Sequence, residues 1–396
     1  MKRSFHQLAF LGLYLGLGIA GASAPDQGPV VPPSPLVPVV ESVLPDFESH
    51  VHALMAAHGL PGAAIGIATP DSILFLKGFG LRSLDDTLAI DTDTVFRIAS
   101  LSKGFAATLA ALLVEEGRLG WDDPVTALLP DFQPSDSRHR DSLTVADVLS
   151  HQTGWVGHAF DNLVDEGKAT SALFDALAAL KPLHAPGTVY AYQNVAFSLI
   201  GEVIEEVTGS LYATQVRTRL LEPLGMDQSS VGWLSYQASA NRARPHRLRR
   251  GQWKVCRDKA NYYRVAPAAG VNASIHDMTR WLQAQMGGRT DVLSDSLLRA
   301  IHARRVSTPG ERRRYGWNDG RMAYGLGWRI ARFRGHELVF HSGGLEGFFS
   351  QIGWIPDLGV GIVVLHNSRR VDAMLPDFFD LLLEALPSDA LASTVD

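Results

Sequence analysis

Apolar residues recur at three- and four-residue spacing over residues 47–58, and Gly59 and Pro61 close the run, so the pattern predicts an amphipathic helix that ends there. Two short apolar segments follow, at 62–69 and 72–80. Pro70 and Asp71 lie between them, which makes the pair a β-hairpin. Further strand-like segments come late in the chain, at 324–330, 338–342, 350–355 and 360–366, before an apolar-faced helix at 372–386. Between these groups the pattern is helical, at 102–116, 145–149, 171–180, 196–208, 211–221, 275–286 and 293–304. Strands at both ends with helices between them predict an α+β fold. One mixed antiparallel sheet is completed by both ends of the chain, flanked by terminal helices, with a mostly helical region inserted.

The start of the chain departs from this pattern. Lys2 and Arg3 precede an apolar run over 8–22 that ends in small residues, the order of a secretory signal peptide. Cleavage after Ala22 is favoured over cleavage after Ala24, which would leave Pro25 beside the cut. The run is short for a membrane span, and no cysteine follows it to carry a lipid. The expected organisation is a signal peptide at 1–22, a proline-rich linker at 23–45, one folded domain at 46–387 and a tail at 388–396. A periplasmic or secreted bacterial protein is expected, with no stable membrane span after cleavage.

Composition narrows the function classes. With 46% hydrophobic and 19% charged residues the chain is an ordinary globular protein with ample core. A formal net charge of -5 gives no global footprint for nucleic acid. Residues 242–259 hold eight Lys and Arg against Asp258 alone, which reads as a solvated basic loop or as a patch for an anionic partner. Cys256 is the single cysteine, so the chain has no internal disulfide and no cysteine metal cluster.

Three short motifs carry candidate chemistry. Ser100-Leu-Ser-Lys103 sits at a strand-to-helix junction, where free N–H groups favour developing negative charge. Lys103 lies one turn on, on the same face as Ser100, and accepts a serine proton if its amine is kept neutral. An N-cap serine beside a surface lysine gives the same letters. Tyr192-Gln-Asn194 follows in a loop, a phenol for proton transfer and an amide for binding, or an ordinary aromatic turn. His341-Ser342-Gly343-Gly344 ends a strand, and its glycines allow a substrate backbone to lie along the edge.

Together, and with Leu149-Ser-His-Gln-Thr-Gly154, 267–272 and Tyr324-Gly-Leu-Gly-Trp328 beside them, these motifs resemble the β-lactamase and penicillin-binding-protein family of serine hydrolases. The resemblance is to class C β-lactamases with their esterase and D-amino-acid-peptidase relatives, and it spans about 47–386. It implies a β-lactamase/transpeptidase-like fold and an acyl-enzyme on Ser100, with Lys103 as proton acceptor. Tyr192 is implied as second base and leaving-group acid, and Asn194 as the holder of the acyl side chain. His341, Ser342, Gly343 and Gly344 would line the substrate, and the N–H groups of Ser100 and Gly344 would form the oxyanion hole. No metal or organic cofactor is implied. The expected partner is a small-molecule or peptide substrate of cell-wall type, and the expected state is a monomer. Two positions depart from the class C pattern. His341 stands where lysine is usual, which weakens the case for strong antibiotic hydrolysis, and Gln193 stands where small residues are usual.

Overall fold

The computed structural model describes residues 36–368 and 373–387. The expected signal segment, the linker up to residue 35 and the tail lie outside the described residues. Helix α1 (Val37–His58) begins inside the segment expected as linker. Pro38 falls in the first turn, where its missing N–H costs nothing. Val40, Val43, Phe47 and Val51 then bury one continuous stripe, which offsets the proline at position 45 within the helix. Gly59 ends the helix in the left-handed conformation, at φ 57°.

The main sheet contains β1 (Gly62–Ala68), β2 (Ile73–Gly80), β3 (Val306–Ser307), β4 (Ala323–Tyr324), β5 (Arg329–Phe333), β6 (His336–Leu345), β7 (Phe348–Ile355) and β8 (Val360–His366). Their order across the sheet is β2-β1-β8-β7-β6-β5-β4-β3, with antiparallel neighbours throughout. The N-terminal hairpin thus joins the C-terminal strands, Ala63 facing His366. Strands β1, β7 and β8 are buried along their whole length because helices cover both faces. Three further helices cover the sheet: α2 (Ser102–Glu115), α3 (Ile275–Gln285) and α4 (Met374–Ala385). Ile65, Ile362 and Val364 pack with α1 and α4 on one face, and Ala64, Val363 and Leu365 pack with α2, α3 and the inserted helices on the other.

Residues 324–330 form two strands rather than the single one expected. Gly327, at φ 76°, reverses the chain, so β4 and β5 pair as a hairpin. A Cβ on Gly327 would come within 2.7 Å of the Lys103 carbonyl oxygen, and one on Gly104 within 2.7 Å of the Trp328 ring. The hairpin therefore packs directly on the first turn of α2. That helix is buried on every side from Ser102 to Ala111, so its sequence carries little amphipathic signal. Trp155 and Trp328 are core residues, and Trp317 packs against Phe333 and Phe340.

The turn before α2 is held from three directions. Phe96–Arg97 pairs with Val271–Ala273, and the Ile98 N–H donates to the Val271 carbonyl at 3.2 Å. Ser350 on β7 donates to the Ile98 carbonyl at 2.7 Å. Ala99 takes a left-handed φ of 51°, a conformation that non-glycine residues adopt at a cost of about 1 kcal/mol or more. Gly343 on β6 lies against this turn, and a Cβ there would stand 2.6 Å from the Ile98 oxygen and 2.8 Å from the Ser100 nitrogen. Gly343→Ala is accordingly expected to cost about 1–3 kcal/mol and to lower the unfolding midpoint in a thermal melt, since neither backbone contact can yield cheaply. An unchanged midpoint would show that the strand and the turn separate freely.

Candidate active site

Ser100 lies in the short Ala99–Leu101 turn, and the helix that follows places Lys103 one turn later. The Lys103 side-chain nitrogen, Nζ, is 3.3 Å from Ser100 Oγ, 2.8 Å from Asn194 Oδ1 and 3.1 Å from the Ala268 carbonyl oxygen. Ser102 points the other way, where its Oγ accepts the Val271 N–H at 3.0 Å and ties α2 to the segment supplying Ala268. Lys103 is fully buried. That burial draws its amine well below the usual lysine range; the Asp161 carboxylate opposes the shift and the Arg329 guanidinium adds to it.

Tyr192 donates to Ser100 Oγ at 2.9 Å. Its loop is laced to the 151–158 segment: the His158 N–H donates to the Tyr192 carbonyl at 2.7 Å, and the Gln193 N–H to His151 Nδ1 at 3.2 Å. Gln193 is a structural anchor. Its buried side chain donates to the Val156 carbonyl at 2.9 Å and caps the short helix Asn194–Phe197. Burial pushes the Tyr192 phenol up to about 12, against the pull of Arg329 and the Ser100 hydrogen bond. Asn194 is 7% exposed and committed on both sides, its Oδ1 to Lys103 and its Nδ2 to both Asp161 oxygens at 3.1 Å.

On β6, the His341 ring is 1% exposed. Its Nε2 meets the Tyr324 hydroxyl at 3.0 Å and its Nδ1 meets the Ser342 carbonyl at 3.0 Å. A neutral ring serves both, with Nδ1–H donating and Nε2 accepting. Burial, reinforced by Arg329 and Lys103, holds the ring well below the ordinary histidine range. Ser342 shares a 2.7 Å hydrogen bond with Tyr315, and Ser342 and Gly344 line a cleft of about 1020 Å³. The basic segment contributes the His246–Arg249 and Gln252–Val255 hairpin, whose Leu248 and Trp253 wall this cleft. Several of its charges are paired: Arg244 with Asp258 at 3.1 Å, and Arg247 and Lys259 with Glu346 at 3.1 and 2.7 Å.

The structure therefore brings Ser100, Lys103, Tyr192 and Asn194 into one hydrogen-bonded cluster, with Ser342 and Gly344 opening onto the adjoining cleft and His341 behind them. The motifs did not point to Asp161, Tyr315 or Arg329, and the segment 267–272 carried no role for its Ala268 carbonyl. Arg329 is 2% exposed and its guanidinium carbon lies 5.3 Å from the Tyr192 ring centroid and 5.5 Å from those of Tyr315 and Tyr324. Glu311 is its carboxylate neighbour at 3.2 Å. Each of the three rings delivers its hydroxyl to a motif residue, Tyr192 to Ser100, Tyr324 to His341 and Tyr315 to Ser342. Among the described residues no His, Cys, Asp and Glu group is placed to hold a metal ion, and no helix is long and apolar enough to cross a membrane.

Comparison with known proteins bears on the family and the fold. The family model described as Beta-lactamase matches residues 47–384. "Unguisins hydrolase ungD'" of Aspergillus campestris is 29% identical over 82% of the chain, and "Protein flp" of Staphylococcus aureus is 28% identical over 80%. Both alignments span 61% of the relative's own length, so the chain covers about three fifths of each. The octameric penicillin-binding protein homologue from Pyrococcus abyssi superimposes with a TM-score of 0.76 at 25% identity, covering 86% of this chain and 77% of that one.

The charge on Arg329 should be felt at Ser100. Arg329→Met is expected to move the rising limb of Ser100 labelling by a fluorophosphonate to higher pH, because Lys103 and Tyr192 both hold their protons more tightly without the cation. A limb that stays in place would show the guanidinium to be only a packing element.

Proposed function

The chain belongs to the β-lactamase family, and from that premise we propose that it is an exported serine hydrolase of class C type, cleaving a β-lactam or related amide through an acyl-enzyme on Ser100. The observation that carries this reading is the pair of short contacts at one hydroxyl, Lys103 at 3.3 Å and Tyr192 at 2.9 Å. Attack by Ser100 Oγ on the substrate carbonyl passes the serine proton to the neutral Lys103 amine. The Tyr192 phenol, too weak an acid to ionise at neutral pH, gives its proton to the leaving nitrogen and is refilled from Lys103. The N–H groups of Ser100 and Gly344 receive the oxyanion, each worth about 3–4 kcal/mol of barrier. Water then releases the acyl group by the reverse proton path.

His341 favours a second reading, an esterase or D-stereospecific peptidase with the same machinery. The ring is buried and neutral, so the strand offers no fixed charge to a substrate carboxylate. A relative whose name assigns it the hydrolysis of unguisins supports hydrolysis beyond β-lactams in this family.

The decisive experiment presents purified protein with a chromogenic cephalosporin, a nitrophenyl ester and a peptide ending in D-alanine, with Ser100→Ala alongside. Ser100→Ala is expected to lose about a thousandfold or more of the turnover on whichever substrate is cleaved, and intact-mass spectrometry of the wild type to show the acyl adduct. Turnover that survives the substitution would remove Ser100 as nucleophile, and no turnover on any of the three would favour a silent binder of cell-wall peptide. His341→Lys is expected to raise kcat/KM for the cephalosporin relative to the ester. An unchanged ratio would mean that strand charge does not set the substrate range.

A further inference from the structure

We infer that Asp161 is a positioning residue that locks the Asn194 amide in one orientation and so keeps the Lys103 lone pair directed at Ser100, an inference that rests on the acyl-enzyme reading above. Asp161 opens the short helix Asp161–Asp165 and lies outside every motif. A neutral amine has two N–H donors and one lone pair. Two of the three Lys103 partners, Asn194 Oδ1 at 2.8 Å and the Ala268 carbonyl at 3.1 Å, are buried oxygens that take the two donors. The lone pair is then left for the hydroxyl proton of Ser100, 3.3 Å away. That count holds only while Asn194 presents oxygen.

An amide presents either end with nearly the same shape. Flipped, Asn194 would offer N–H groups to Nζ and occupy the lone pair that Ser100 needs. Asp161 forbids the flip, because its two carboxylate oxygens accept from Asn194 Nδ2 at 3.1 Å each and would face the amide oxygen if it turned. The carboxylate is steadied in turn by His158 Nδ1, at 2.8 Å from Oδ2. The charge itself works against the lysine, since an anion nearby favours the protonated amine. Asp161 thus trades some basicity at Lys103 for a fixed hydrogen-bond direction. Other charged or titratable groups bear on the same amine: Tyr192 from the loop, His151 from the segment beneath it, Arg329 from β5 and His341 from β6. Asp161 itself faces His158, Asp165 and Tyr262.

Two readouts test this. In fluorophosphonate labelling of Ser100, Asp161→Ala and Asn194→Ala are each expected to lower the plateau rate about tenfold to a hundredfold, with the double variant no slower than Asn194→Ala alone. Losses that multiply in the double variant would overturn the inference, because Asp161 would then act by another route. The isosteric Asp161→Asn guards against misfolding. In it, the Lys103 ionisation, followed by NMR of selectively labelled lysine, is expected to move to lower pH while the labelling plateau falls. A plateau equal to wild type, or a Lys103 ionisation that does not move, would equally overturn the inference. If the wild-type serine never labels, the nucleophile assignment fails, whereas the Lys103 titration still decides on Asp161.

Discussion

The site depends on keeping one lysine amine out of water. Lys103 sits on the first turn of a helix buried on all sides, and an ammonium ion in that place is costly unless it is paired. Packing makes the place dry: Trp328 against Gly104, the Gly327 turn against the Lys103 carbonyl, and Ser102 bonded away from the cleft. Two charges then act on the amine with opposite sign, Arg329 discouraging its proton and Asp161 encouraging it. With water excluded, both are felt more strongly than they would be at a surface.

The same dryness links groups far apart in sequence. Tyr192, Tyr315 and Tyr324 arrive from a loop, a surface segment and a strand, yet all three rings gather around one guanidinium. Their hydroxyls reach Ser100, Ser342 and His341, so the rings around a single buried cation make contacts to both the Ser100 turn and the strand beside it. Burial, reinforced by that cation, also accounts for the neutral state of His341. A ring close to Arg329 and Lys103, with an acceptor demanded at Nε2, has little reason to take a second proton.

Much of this was legible in the chain. The hairpin at 62–80, the late strands and the helical middle follow from local periodicity, and the sheet closed by both chain ends follows from their order. Ser100, Lys103, Tyr192 and Asn194 were singled out by the resemblance of several short motifs taken together, each of them local, a helical turn or a short loop. What escaped was set by packing at a distance. The prolines of α1 read as a linker, since nothing local shows that Val40 and Val43 are covered by the C-terminal helix. One glycine split an expected strand, because its φ of 76° is a property of the turn and not of composition. Gln193 looked anomalous until Val156 supplied its partner. Asp161 belongs to no local pattern and Arg329 reads only as one position of a strand, and only the tertiary structure sets them beside Asn194 and Tyr192.

The order of the sheet has a consequence in time. Strand β1, made among the first residues of the domain, has its partner in β8, and Ser350 on β7 secures the turn that carries Ser100. During synthesis the first hairpin must wait for nearly the whole chain before its second edge is filled, a pairing of high sequence separation and hence slow closure. The turn that carries Ser100 cannot be fastened before those last strands arrive. A partly made chain therefore carries Ser100 and Lys103 without the strands that hold their turn in place, and the topology itself delays assembly of the cluster until β7 and β8 have been made.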